Sequence, residues 1–276
     1  NAKRYKKTAT KLRGGLIKVA QFLTTQKDII PIEIIKELEV LQDKVEPVDI
    51  KTVKNTIEEE LLDKTENIFV DFEENCVASA SFGQVHKAKL KTGEIVAIKI
   101  QHKCIEKTLK IDMILMKYVF LFFATLLNRK HLLDIYKEIS TALLTELDYE
   151  KEAYYAKKFK ENFKNRNDVI IPEIYENYST KKVLTMDFID GYKINDLENM
   201  KKLNINPESI LKLLVDLYFQ QFYHNGFFHS DPHPGNIFFL QGPKLAFIDF
   251  GQSKELDEKI RKELKNIVIS LIIFNI

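Results

Sequence analysis

Between Ser81 and His102 the chain reads SFGQVHKAKLKTGEIVAIKIQH, and here the hydrophobic period drops to two. Val96, Ile98 and Ile100 alternate along one run, and Lys91 to Glu94 supply a turn before it, so the stretch is read as a β-hairpin. A hairpin cannot bury a face by itself, so further strands must join it. VIIPEIY (169–175) and KVLTMDFID (182–190) supply them, and Asp190-Gly191 marks a break. The flanks keep a helical period. Leu12, Leu16, Val19, Ala20 and Leu23 fit one helix, and Pro31 opens a second with Ile34, Ile35, Leu38 and Leu41. A third is expected from near Asp49, two long helices over about 104–127 and 131–163, and others over 207–225 and from about Glu255.

This order implies an α+β chain of two lobes joined at residues 187–191. The expected division is a helical extension over 1–63, a first lobe over 64–190, and a second over 191–276 that stops inside the apolar run NIVISLIIFNI. The chain is therefore read as a fragment of a longer protein. Its 276 residues suffice for two cores. A net charge of +2 gives no global field of the kind nucleic acid requires. The charge is uneven, however: Lys3, Arg4, Lys6, Lys7, Lys11, Arg13, Lys18 and Lys27 face no acid within residues 1–27, which fits a solvated face or an anionic membrane surface. Cys76 and Cys104 have neither metal-ligand nor disulfide spacing, in keeping with a reducing compartment. Met113 to Leu127 is short for a membrane span and is interrupted by Lys117, so it is read as a buried or interfacial helix, its YVFLFF as core with a partner or lipid surface as the alternative.

Several polar residues need an explanation beyond solubility. Lys99 lies at the centre of the apolar strand VAIKI, where an ammonium must snorkel or meet an anion. Upstream, Ala78, Ser79, Ala80, Ser81, Phe82 and Gly83 form a small-residue hairpin able to bring backbone N–H groups to phosphates. Downstream, TELDYEKEA is helical in pattern; at about 100° per residue Asp148 and Glu152 share a face and Glu146 points elsewhere. Between Phe227 and Gln252 the prolines forbid a helix, and Asp231, Asn236 and Asp249 fall on a loop and a strand end held by a hairpin. His229 and His233 are read as packing and loop residues, and His86 and His102 as strand-end residues.

A small-residue hairpin, VAIK, a helical Glu, D-x-x-x-x-N and DFG follow one another as the parts of protein kinases do. In that scheme Lys99 neutralises phosphates and Glu152 holds it extended. Asp231 orients or deprotonates the acceptor, while Asn236 and Asp249 offer oxygens to Mg²⁺. Asp187, Phe188 and Ile189 offer hinge backbone to adenine; Val85 and Ala97 join the loop residues 78–83 around ATP.

LIKVAQFLTTQKDIIP, ASASFGQVHKA, VAIKIQH, ELDYEKEA, HSDPHPGN and IDFG together resemble the UbiB (AarF-type) family of atypical kinase-like proteins across nearly the whole chain. The resemblance implies a bilobal kinase-like fold whose N-terminal extension covers the active site. It also implies Mg·ATP use linked to ubiquinone or other isoprenoid-lipid metabolism. Residue by residue, it makes Lys18 and Gln21 the signature of the extension, with Glu146 and Asp148 the acidic motif facing it. Glu146 becomes the partner of Lys18, Glu152 that of Lys99, and Ala80 and Ser81 belong to an alanine-rich loop. Two positions depart from the family pattern: Ala20 stands for Gly in KVAQ, and Ser79 for Ala in ASAS.

The resulting expectation is an ATP-dependent atypical kinase or ATPase, membrane-associated and facing a bacterial cytoplasm or organelle interior. Its partner would be a membrane surface, a lipid-like small molecule or a lipid-biosynthetic complex. The rival readings are a nucleotide-binding pseudokinase scaffold and a small-molecule phosphotransferase.

Overall fold

A computed structural model of the chain describes residues 47–126 and 128–274. The helices expected before residue 46, with Lys18, Gln21 and Ala20, lie outside the described residues. The described chain is mixed α and β and falls into two compact units: its residues up to 150 with 175–187, and 151–174 with those from 188 on. The units part between Asp187 and Phe188, and residues 151–174, placed by the sequence in the first lobe, group with the second unit.

The first unit is built on an antiparallel sheet in the order β1 (Phe69–Phe72), β3 (Gly83–Leu90), β4 (Ile95–Gln101), β6 (Val183–Asp187), with β2 (Ala78–Ser79) added to β3. Val96, Ile98 and Ile100 turn one face of β4 into a core with Ala88, Leu90 and Val183. Helix α1 (Ile50–Leu61) closes that face with Val53 and Ile57. Asp49 caps it, accepting the Thr52 N–H at 3.0 Å, where the sequence placed its start. Residues 50–61, assigned from sequence to the extension, thus pack into the sheet's core. A short helix α2 (Thr65–Ile68) leads into β1.

Helices α3 (Ile105–Leu126) and α4 (His131–Thr145) form a hairpin. Its seam holds Ile105, Leu109, Met116, Ile139 and Leu143, and reaches Phe82 and Leu147 at its base. The rest of YVFLFF does not join this core: Tyr118, Phe122 and Phe123 are exposed, because one helix partner covers only one stripe of α3. The long helix expected over 131–163 is broken. Glu146 ends α4 and a turn closes with Asp148 N–H on Thr145 O at 3.1 Å before α5 (Tyr149–Phe163).

In the second unit β5 (Val169–Ile170) pairs in parallel with β10 (Lys244–Phe247), which forms a hairpin with β9 (Ile237–Leu240) beside β7 (Tyr192–Lys193). β8 (Phe227–His229) pairs with β11 (Ser253–Glu255). Helices α6 (Leu197–Lys202), α7 (Pro207–Phe219) and α8 (Glu258–Phe274) complete it. Phe159, Phe163, Phe227, Phe247 and Phe250 form its aromatic core. Arg166 ties the end of α5 to β5 and α7 by a fork onto Asp168 (2.8 and 2.6 Å) and a bond to Asp216 at 2.6 Å. The helix after Pro207 runs on from α7 as a π-helical turn over Gln220–Asn225, closed by Gly226 at φ +63°.

Candidate active site

Strand register arranges the candidate residues of the first unit. Lys99 lies opposite Val85 on β3 and Leu184 on β6; Ala78 lies opposite Val85, and Ala97 opposite Met186. Opposed residues share a face, so Ala78, Val85, Ala97 and Lys99 stand together, on the face away from α1. Lys99 Nζ lies 5.3 Å from the ring centroid of buried Tyr149. Ser79 is different. It opposes Gln84, on the other face, and its hydroxyl is covered and makes no hydrogen bond. The alternation of the strand turns this hydroxyl away from the face that carries Lys99.

The loop over Ala80–Phe82 is fixed from behind by His102, whose N–H donates to Phe82 O at 2.8 Å and whose Nε2 meets Ala80 O at 3.1 Å. Since a carbonyl only accepts, Nε2 carries the proton. Gly83 permits the close approach of β4: a Cβ there would stand 2.4 Å from Ile100 O and 2.9 Å from Tyr149 Oη. His86, read as a strand-end residue, lies inside β3 instead. It is buried because Gln84 Nε2 (2.7 Å) and Glu73 O (2.9 Å) satisfy both ring nitrogens. Burial holds its pKa below the ordinary histidine value.

Glu146 and Asp148 occupy the turn between α4 and α5 rather than one continuous helix with Glu152, so the helical-wheel argument, which put Asp148 on the face of Glu152 and Glu146 elsewhere, does not apply to them. Buried Gln101 holds this turn, donating from Nε2 to Leu147 O at 2.8 Å and Lys181 O at 3.2 Å. Tyr149 N–H also reaches Lys181 O at 3.2 Å. At the end of β6, Asp187 accepts the Tyr175 hydroxyl at 2.8 Å. Phe188 and Ile189 open the second unit.

In the second unit the D-x-x-x-x-N loop is clamped at each end. Ile248 N–H donates to Asn236 O at 3.0 Å, joining the loop to the start of the Asp249 turn. Ser230 N–H and Oγ both donate to Gln252 O, at 2.8 and 2.7 Å. Buried His229 lies between: Asp231 N–H donates to Nδ1 at 3.3 Å, and Nε2 meets Asp249 O at 2.5 Å. Nδ1 accepts, so the ring is neutral with its proton on Nε2, and burial keeps its pKa below the ordinary value. Gln221, aimed inward by the π-helical turn, accepts His229 N–H at 2.8 Å. His229 thus fixes the backbones of both acids. His233 accepts Gly235 N–H at 3.1 Å and shapes the loop.

Asn236 Nδ2 donates to Asp231 Oδ2 at 2.9 Å. A carboxylate only accepts, so the carboxamide oxygen faces the other way. Asp249 Oδ1 accepts Gly251 N–H at 3.0 Å, a turn that fixes its χ1. Glu152, fully buried, accepts Phe250 N–H at 3.3 Å and stands 3.8 Å from the Cβ position of Gly251. It is placed against the Asp249–Gly251 turn in the second unit, whereas Lys99 belongs to the first. One carboxylate and one carboxamide oxygen suit a hard dication that also takes phosphate and water oxygens. Among the described residues no group of three or more His, Cys, Asp or Glu could hold a metal.

Sequence reasoning did not single out His102, Gln101, Tyr149 or Gln221 as organisers of the site. Each acts through a backbone group far along the chain, and no local pattern signals such a contact.

The ABC1 atypical kinase-like domain model matches residues 40–276. The chain belongs to the ABC1/UbiB family. An Arabidopsis thaliana relative, protein ACTIVITY OF BC1 COMPLEX KINASE 8, chloroplastic, is 35% identical over 270 residues, covering 95% of this chain and 35% of its own. A probable serine/threonine-protein kinase of Dictyostelium discoideum, abkB, is 36% identical over 271 residues, 94% of this chain and 40% of its own. The chain therefore spans less than half of either relative. The structure of Rv3197 from Mycobacterium tuberculosis, solved as an erythromycin complex, matches with TM-score 0.67 and 28% identity over 89% of this chain and 62% of that one. The ABC1/UbiB chain thus has a kinase-like α+β fold, of the class that uses ATP with Mg²⁺. No described helix is long and apolar enough to cross a membrane.

Proposed function

We propose that this ABC1/UbiB chain uses Mg·ATP at the loop carrying Asp231, Asn236 and Asp249. It would act as an atypical kinase or ATPase supporting ubiquinone or other isoprenoid-lipid metabolism at a membrane. The observation that carries this reading is the bond from Asn236 Nδ2 to Asp231 Oδ2, 2.9 Å, on a loop whose far end is tied to Ile248. It orients a carboxamide oxygen and leaves a carboxylate beside it, the division of labour phosphoryl transfer needs.

Asn236 and Asp249 would hold the dication, which when bound neutralises phosphate oxygens. Lys99 would receive the α/β-phosphates, with Glu152 its partner when nucleotide is bound. Asp231 would orient an acceptor hydroxyl or water and take its proton. Ala78 to Gly83, with Val85 and Ala97, would contact the nucleotide, and the backbone of Asp187–Ile189 the adenine. Ser79 would act through its backbone alone. Lys18, Gln21, Glu146 and Asp148 would form the family's own lid motif.

The test is phosphate release from Mg·ATP by the purified chain, beside Asp249→Asn and Asp231→Asn. Turnover lost in Asp249→Asn supports the reading. Turnover unchanged in both variants overturns it.

A further inference from the structure

Helix α3 breaks the usual rule for a surface helix. Its buried stripe, Leu109, Met116 and Ala124, faces α4, and the opposite stripe ought to be polar. Instead Ile111, Leu115, Tyr118, Phe122 and Leu126 recur there every three or four residues and are 57–66% exposed. The stripe runs about 22 Å along the helix at 1.5 Å per residue. An apolar patch of this length in water marks a contact surface.

Its charge identifies the partner. The α3–α4 turn carries Arg129 and Lys130, both exposed and in no ion pair among the described residues. The nearest acid beyond them, Asp134, is bound to Lys137 at 3.2 Å. Apolar and aromatic side chains along one face, with free cations at the tip, are the two features that hold a helix in the headgroup layer of an anionic bilayer. Lys117 and Asp112 keep α3 from spanning, and no described helix can cross.

We propose that the α3–α4 hairpin is a docking element for an anionic lipid bilayer, laying the Ile111–Leu126 stripe into the interface with Arg129 and Lys130 on the headgroups. At its base the same hairpin buries Phe82 of the candidate nucleotide loop and Leu147 of the acidic turn, so the docking element is packed directly on these parts of the first unit. The inference gives a surface to the membrane-linked reading above and rests on it; vesicle binding measured without nucleotide separates the two.

The chain has no tryptophan, so Phe122→Trp is a clean reporter. Vesicles of equal phosphatidylcholine and phosphatidylglycerol should shift its emission to the blue, and leave that of Leu197→Trp, on the second unit, unchanged. In flotation with the same vesicles, Leu115→Glu/Phe122→Glu and, separately, Arg129→Glu/Lys130→Glu should each lower bound protein by about tenfold or more. Both pairs are exposed, and an unchanged thermal midpoint checks that the variants fold. An unshifted Phe122→Trp spectrum, or flotation indifferent to both pairs, overturns the proposal. So does concentration-dependent dimerisation abolished by Leu115→Glu/Phe122→Glu, which would assign the stripe to a second copy. Flotation retained by Asp249→Asn alongside lost turnover shows the surface and the site failing independently.

Discussion

A Cβ on residue 83 would meet Ile100 O at 2.4 Å, and that atom belongs to the neighbouring strand's backbone. Gly83→Ala should therefore destabilise the chain by about 1–3 kcal/mol, seen as a lower midpoint in urea; an unchanged midpoint would mean β3 and β4 do not close here. The buried histidines give a pH signature. His86 and His229 are both held neutral by burial, their folded pKa values below the 6.5 of an exposed imidazole. Below pH 6.5 the unfolded chain binds protons that the folded chain refuses, so folding stability is complete above that pH and falls as pH drops through this window. Urea unfolding at pH 7.5 and 5.5 should show the loss, and His86→Gln/His229→Gln should reduce it. Equal stability at both pH values in the parent chain would contradict these environments.

Elements show where local pattern suffices and where it fails. The β3–β4 hairpin and the start of α1 were legible because alternation, the Lys91–Glu94 turn and the Asp49 cap are all local. The break at Glu146–Asp148 was not, because the residues on both sides favour helix. What stops the helix is Gln101, forty-six positions earlier, bonding Leu147 O. Gln101→Leu should remove the side-chain donor to the Leu147 carbonyl, leaving Lys181 O only the Tyr149 N–H, costing about 1–3 kcal/mol, and speed amide exchange across residues 146–149. Unchanged exchange there would show that the turn holds without it. The sequence ranked core above a partner or lipid surface for the exposed stripe of α3 for a related reason: an apolar helix reads as core until its neighbours are counted.

For the whole molecule, Asp231, Asn236 and Asp249 could be grouped as a candidate site from sequence because one short hairpin, β9–β10, links them. The assignment of residues 151–174 to the second unit was hidden, since it rests on the parallel pairing of Val169–Ile170 with Leu245–Ala246 across the chain. The central claim is that a Mg·ATP site is built on Asn236 and Asp249. Calorimetric titration of ATP into the chain, with and without Mg²⁺, beside Asp249→Asn, tests it most directly. The account predicts saturable binding that requires Mg²⁺ and weakens by about tenfold or more in the variant. Binding that is indifferent to both Mg²⁺ and Asp249→Asn would contradict it.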